Sequence, residues 1–176
     1  MFAALFDRHA AAIHRYLSRR AGPHVADDLT GQTFLVAFDQ RDRFDATQPS
    51  ALPWLYGIAT RLLARHRRTE ARQLRALART GVDPVEPGHA DTVAARVTAG
   101  AATRRLAAAL AKLPAGQRDV LLLAAWQHLD YQEIARALGI PAGTVASRLN
   151  RARAAVRAAF GGVDPTCARE EEDSRG

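Results

Sequence analysis

The chain is short of cysteine, of long apolar runs and of any recognisable catalytic motif. Cys167 is the only cysteine, which excludes an internal disulfide framework and a thiolate zinc site. No apolar run approaches the roughly 20 residues that a membrane-crossing helix needs. The opening residues do not read as a secretory signal: Phe2, Leu5, Phe6, Ile13, Tyr16 and Leu17 make a helical stripe interrupted by charge. A cytoplasmic protein with no direct membrane insertion is therefore expected. No Gly-rich phosphate loop and no nucleophile motif appears. Asp27 and Asp28 are adjacent, so they project about 100° apart on a helix. His9 and His14 are five apart, off the i, i+4 register of a helical metal pair. Neither enzyme chemistry nor a metal or other cofactor is expected. No segment reads convincingly as a strand either, which leaves an all-α protein.

What the chain has in excess is arginine. Its net charge is +7, and the basic side is almost entirely arginine. After residue 163 five acids face two arginines, so the tail carries −3 and residues 1–163 carry +10. Such a field suits a polyanion.

Punctuation divides the 176 residues into two small helical domains joined by a flexible linker. The first spans residues 1–78. Its opening helix stops at Ala21-Gly22-Pro23. The next is expected to begin near Val25, with Asp27 and Asp28 in its first turn, where negative charge complements the helix dipole. That second helix is apolar on two sides, Val25, Leu29 and Val36 on one and Phe34 and Phe38 on the other, so it needs two neighbours. A loop over Asp42–Pro53 follows, and Pro53 opens a long helix with Leu55, Ile58, Ala59 and Leu62 inward. The linker, 79–91, holds Gly81-Val82-Asp83-Pro84-Val85-Glu86-Pro87-Gly88, which cannot continue a helix. The second domain spans 92–161, and 162–176 reads as a disordered acidic tail.

Two helix faces stand out. On the long helix Trp54, Arg61, Arg65, Arg68 and Arg72 follow at steps of seven, four, three and four and share one side. Seven arginines against Glu70 give residues 61–79 a local charge of +6. An aromatic followed by an arginine ladder can stack a base and track phosphates. Trp54 reads equally well as a core aromatic, since large rings usually bury their surface.

The other face belongs to Asp130–Arg153, two helices around a tight turn. Ile134, Ala135 and Leu138 give the first an inward side. Gly139 supplies a permissive turn residue, and Pro141 suits the start of a new helix. Val145, Leu149, Ala152 and Val156 then recur at steps of four, three and four, an inward stripe that leaves Ser147, Arg148, Asn150 and Arg151 pointing out. Arginine and asparagine on the exposed side of such a second helix read base edges in the major groove. The segment is a helix-turn-helix, and DNA is the expected partner; a merely solvated arginine face is the competing reading.

Taken together, the chain resembles the extracytoplasmic-function sigma factors of bacterial RNA polymerase. Ala26-Asp27-Asp28-Leu29-Thr30-Gly31-Gln32-Thr33-Phe34-Leu35 is similar to that family's core-binding segment. Pro53-Trp54-Leu55-Tyr56-Gly57-Ile58-Ala59 with Arg67-Arg68 resembles its promoter-melting helix. Tyr131-Gln132-Glu133-Ile134-Ala135 with Gly143–Arg153 resembles its reader of the −35 element.

The resemblance implies a sigma region 2-like first domain and a region 4-like second one. It implies that Asp28, Leu29, Gln32, Phe34 and Leu35 grip core RNA polymerase. Thr47, Gln48 and Ser50 would lie in the loop that captures a flipped base of the −10 element, with Trp54, Arg61, Arg65 and Arg68 bordering the opened strands. Thr144, Ser147, Arg148, Asn150 and Arg151 would enter the −35 groove. Core polymerase and promoter DNA, duplex and melted, are the implied partners, and family members are often held by an anti-sigma protein. Three positions depart from the family pattern: Gln32 for a usual glutamate, Arg61 for a frequent asparagine and Ala146 for a usual basic residue. A helix-turn-helix regulator that never touches polymerase is the rival. It leaves the Trp54 helix and the Asp27–Leu35 segment with nothing to do.

Overall fold

The computed structural model describes residues 2–79 and 101–161. The expected linker, apart from Arg79, and the acidic tail with Cys167 lie outside the described residues. The order is α1 (Phe2–Ala21), α2 (Pro23–Asp39), a single 3-10 turn (Arg41–Arg43), α3 (Leu52–Arg79), α4 (Ala101–Lys112), α5 (Ala115–Gln127), α6 (Tyr131–Leu138) and α7 (Ala142–Ala159). Among the described residues there is no strand, as the sequence implies.

α1, α2 and α3 pack on one another. α1 contributes Ile13, Tyr16 and Leu17, α2 contributes Ala26, Leu29, Thr33, Phe34 and Ala37, and α3 contributes Leu55, Ile58, Ala59 and Leu63. The inward register of α3 therefore runs on to Leu63, and the expected Leu62 is only half-buried. Several polar groups inside this core are hydrogen-bonded to one another. The Tyr16 hydroxyl lies 2.7 Å from Thr60 Oγ1, and buried Arg20 donates to the same hydroxyl. Arg67 donates to the Arg20 carbonyl at 2.6 Å, fastening α3 to the end of α1.

α2 starts two residues before the expected Val25, because Pro23 takes its first turn, where a missing N–H costs nothing. The first turn consequently holds no acid. Asp27 instead accepts a hydrogen bond from His14 of α1 at 2.8 Å. This pair is exposed, so it orients more than it stabilises.

In the second unit α7 lays Val145, Leu149, Ala152 and Val156 inward, all buried, as their spacing requires. Ala152 and Val156 form a cluster with Ala109 and Leu113, flanked by Leu110, Leu121 and Phe160. Arg118 closes the end of α4 by donating to the Ala111 and Leu113 carbonyls at 2.8 and 3.0 Å. Gly139, at φ 66°, supplies the left-handed turn before Pro141, whose carbonyl accepts from the Thr144 and Val145 amides.

Contacts gather α6, from residue 132 on, with α1–α3, while α4, α5 and α7 form the other unit. The sequence-based block 92–161 did not anticipate this grouping of α6. Its physical basis is Gly57: a Cβ there would stand 2.0 Å from the Ala137 carbonyl oxygen, so only a bare Cα admits that backbone.

Candidate nucleic-acid and polymerase interface

α2 presents two faces, and they divide the residues expected to grip polymerase. Asp28, Gln32 and Leu35 follow at steps of four and three and lie together on the exposed side. Leu35 is 67% exposed, the most exposed of the chain's large apolar side chains among the described residues. Leu29 and Phe34 belong to the other side. Both are 3% exposed, and Phe34 packs edge-on against Phe6 at 4.8 Å. They support the helix from within and do not form its outer surface, a correction to the expected set. Phe38, one turn beyond Leu35 and 47% exposed, extends the outer ridge instead. The Arg41 guanidinium lies 4.7 Å over its ring. The i, i+3 spacing from Leu35 is the signal that places Phe38 on this ridge.

The loop before α3 is organised by Asp45, a residue the sequence reading missed. Its carboxylate accepts from the Thr47 amide at 3.0 Å, the Thr47 hydroxyl at 2.6 Å and the Gln48 side-chain amide at 2.9 Å. An aspartate two residues before a turn threonine is a recognisable Asx-turn signal. Hydrogen bonds from Thr47 and Gln48 hold the carboxyl at about 2, below the ordinary aspartate value. Thr47 and Gln48 are thus presented as a fixed pair. Ser50 serves the helix instead, because its Oγ accepts from the Leu52 amide at 3.2 Å and caps α3.

Along α3 the ladder Arg61, Arg65, Arg68 and Arg72 is exposed throughout. Trp54, at its head, is half-buried with its ring 5.1 Å from that of Phe44, so the two readings of this tryptophan each describe part of it. Arg61 differs from its neighbours because it donates to the Ala137 carbonyl at 3.0 Å. Between α2 and α3 lies a groove of about 470 Å³ lined by Asp28, Gln32, Arg65 and His66, among others. Asp28 and Gln32 of the α2 ridge and Arg65 of the α3 ladder meet along it.

On α7 the buried stripe fixes the rotation, and Asn150 and Arg151 are fully outward. Thr144, Ser147 and Arg148 are half-buried, which corrects the expectation that Ser147 and Arg148 point freely outward. Ser147 donates to the Thr144 carbonyl at 3.1 Å within its own helix. Arg148 lies back over Gly116 at the start of α5.

Comparison with known proteins shows which family the chain belongs to. The family model for sigma-70 region 2 matches residues 5–73, and that for sigma-70 region 4 matches residues 103–156. The ECF RNA polymerase sigma factor SigL of Mycobacterium tuberculosis is 32% identical over 157 residues, spanning 88% of this chain and 85% of SigL. The chain belongs to the ECF sigma factors. The RNA polymerase sigma factor CnrH of Cupriavidus metallidurans is likewise 34% identical over 167 residues, spanning 89% of this chain and 85% of CnrH. Among solved structures, CnrH in complex with the cytosolic domain of CnrY superposes with TM-score 0.60 at 27% identity, covering 91% of this chain and 87% of that one. The sigma factor RpoE of Bartonella quintana, solved with the anti-sigma factor NepR, shares the fold with TM-score 0.65 at 21% identity, over 91% of this chain and 96% of that one.

This sigma factor is an alternative promoter-recognition subunit, and its two sigma-70 domains bind core RNA polymerase and promoter DNA. Among its described residues no helix is long and apolar enough to cross a membrane.

Proposed function

We propose that this sigma factor divides initiation among three surfaces: an α2 ridge for polymerase, the α3 ladder with its loop for the −10 element, and α7 for the −35 element. The observation that carries the reading is the exposed ridge of Asp28, Gln32 and Leu35 on a helix whose opposite side is fully engaged in the core. A free-standing DNA-binding regulator has no need of an apolar side chain held out at that place. Leu35 and Phe38 supply apolar area, and Asp28 supplies charge, for the polymerase surface.

Melting requires a place for an unstacked base and a cationic path for the strand. Thr47 and Gln48, presented by Asp45, suit the first. Trp54, Arg65 and Arg68 suit the second, with Arg61 joining them when it releases the Ala137 carbonyl. Asn150 and Arg151 address base edges of the −35 duplex, with Thr144, Ser147 and Arg148 at the margin of that face. The division corresponds to a region 2-like domain over 1–78, a linker over 79–91 and a region 4-like domain over 92–161. The protein acts by binding and not by catalysis, in the cytoplasm.

An anti-sigma protein is an expected regulator, since RpoE was solved with one. Its binding would compete with polymerase for the same exposed apolar ridge. The deciding experiment is a pull-down of core polymerase with wild-type and Leu35→Glu protein, beside in vitro transcription from a genomic fragment library. Retention of core by wild type and its loss in the variant supports the reading. Promoter-specific DNA binding without core, unaffected by the substitution, refutes it.

A further inference from the structure

We propose that Gly116, on α5 and outside the recognition helix, is a specificity-determining position for −35 reading that acts through Arg148. The inference rests on the role given above to α7. A Cβ at residue 116 would stand 2.9 Å from Arg148 Nη1, 3.2 Å from Cζ and 3.6 Å from Nε. The guanidinium therefore occupies the space where any side chain at 116 would begin. Both residues lie in the same unit, and α5 and α7 pack directly on each other.

Polar bonding does not hold Arg148 there. Among the described residues it has no hydrogen bond or ion pair. The helix field does not favour the position either, because the first turn of α5 is the positive end of its dipole and repels a cation. Packing against a bare Cα is what allows the side chain to lie back, and it leaves the guanidinium's donors unspent. Asn150 and Arg151 stand fully outward on the same helix. A methyl or larger group at 116 displaces the guanidinium from the laid-back pose, and the neighbouring outward side of the helix is that of Arg151, about 60° around from Arg148. The rearrangement falls on the far end of a flexible side chain, so the packing of α5 on α7 is kept. A guanidinium brought to that side can pair bidentately with guanine. Residue 116 thereby sets how strongly Arg148 competes for a base edge, without touching DNA.

The test uses holoenzyme reconstituted from core polymerase and full-length sigma factor. Transcription is measured on a promoter recovered from a genomic fragment library and substituted base by base across its −35 element. Gly116→Leu is expected to change the preference at one −35 base pair by about fivefold or more, the lower range of an arginine–guanine contact. Gly116→Ala should shift it in the same direction by less. In an Arg148→Ala background both shifts should vanish, because the effect passes through that side chain. Equal shifts with and without Arg148 would overturn the inference. So would an unchanged profile for Gly116→Leu and Gly116→Ala while Asn150→Ala or Arg151→Ala alters it, an outcome that leaves the −35 role of α7 intact. If no α7 substitution changes the profile, that role fails and the inference fails with it. Gly116→Ala, a favourable change for helix propensity, keeps the test open should the leucine variant fold poorly.

Discussion

Two adjacent residues on α2 should fail in opposite ways. Phe34 is 3% exposed and packs edge-on against Phe6, whereas Leu35 is 67% exposed. Truncating a buried phenylalanine costs about 3–5 kcal/mol. Against the total stability of a small domain, about 5–15 kcal/mol, this is a large fraction. Phe34→Ala should therefore lower the melting temperature by upwards of about ten degrees. Leu35→Ala should leave it nearly unchanged, because surface substitutions usually stay within about 0.5 kcal/mol. Polymerase binding reverses the order of severity. Fully burying a leucine is worth roughly 1.5–3 kcal/mol, so the two-thirds still exposed here has about 1–2 kcal/mol to contribute when a partner covers it. Leu35→Ala should then weaken core binding about 5- to 30-fold. Leu35→Glu should weaken it further, since a carboxylate would have to be desolvated beside apolar surface. The assay is fluorescence anisotropy of labelled sigma factor titrated with core polymerase, paired with thermal melting of each variant. Wild-type affinity in Leu35→Ala would refute the assignment of this ridge to polymerase. A large drop in its melting temperature would show that Leu35 serves the fold.

On the arginine ladder, Arg65→Ala and Arg68→Ala should weaken open-complex formation at all promoters alike. Each lost phosphate contact should flatten the log–log salt dependence by about 0.9 on duplex or about 0.7 on single strand; base-selective loss would reassign them. On α7, Leu149→Ala should destabilise the protein by about 2–5 kcal/mol in chemical denaturation. Arg151→Ala should instead leave stability alone and relax one −35 base pair by about 1–3 kcal/mol in run-off transcription; identical rankings of a −35 series by wild type and variant would refute base reading there. In the loop, the Asp45 carboxyl should titrate at about 2 by NMR, and Thr47→Ala should raise the midpoint. Since its folded value lies below the unfolded one, these contacts contribute above about pH 4 and are lost as pH falls through about 2. A midpoint near the ordinary aspartate value would show that Thr47 and Gln48 are not held.

Helix positions were legible because apolar periodicity reports burial. Val145, Leu149, Ala152 and Val156 are all inside, and the outward position of Asn150 and Arg151 follows from them. The turn signals at Gly22-Pro23 and Gly139 also fell where expected. Within the polymerase-binding segment the resemblance supplied a contiguous run of residues, but a helix cannot point five near-neighbours one way. At 100° per residue, Leu29 and Phe34 must turn from Asp28, Gln32 and Leu35. Applying that arithmetic to the segment would have separated them. The grouping of α6 with α1–α3 was not legible, because it depends on a backbone approach at Gly57 that no local pattern announces. Asp45 was legible in principle, since an Asx turn needs only an aspartate and the residue two places on.

Helix rotation fixes where a side chain leaves the backbone, not where a long side chain ends. Ser147 leaves α7 beside Asn150 and Arg148 beside Arg151, yet one bonds back to its own helix and the other rests on α5. For arginine, with several rotatable bonds, the end point is chosen by whatever lies within reach, and here the determining neighbour is a missing side chain 32 positions earlier in the sequence. Two sigma factors with the same recognition-helix residues but different residues at the start of the preceding α5 should therefore differ in −35 preference. The effective reading surface of this protein thus includes the first turn of α5 as well as the exposed side of α7. Exchanging recognition-helix residues alone should transfer preference incompletely, and adding the residue at position 116 should recover the missing part.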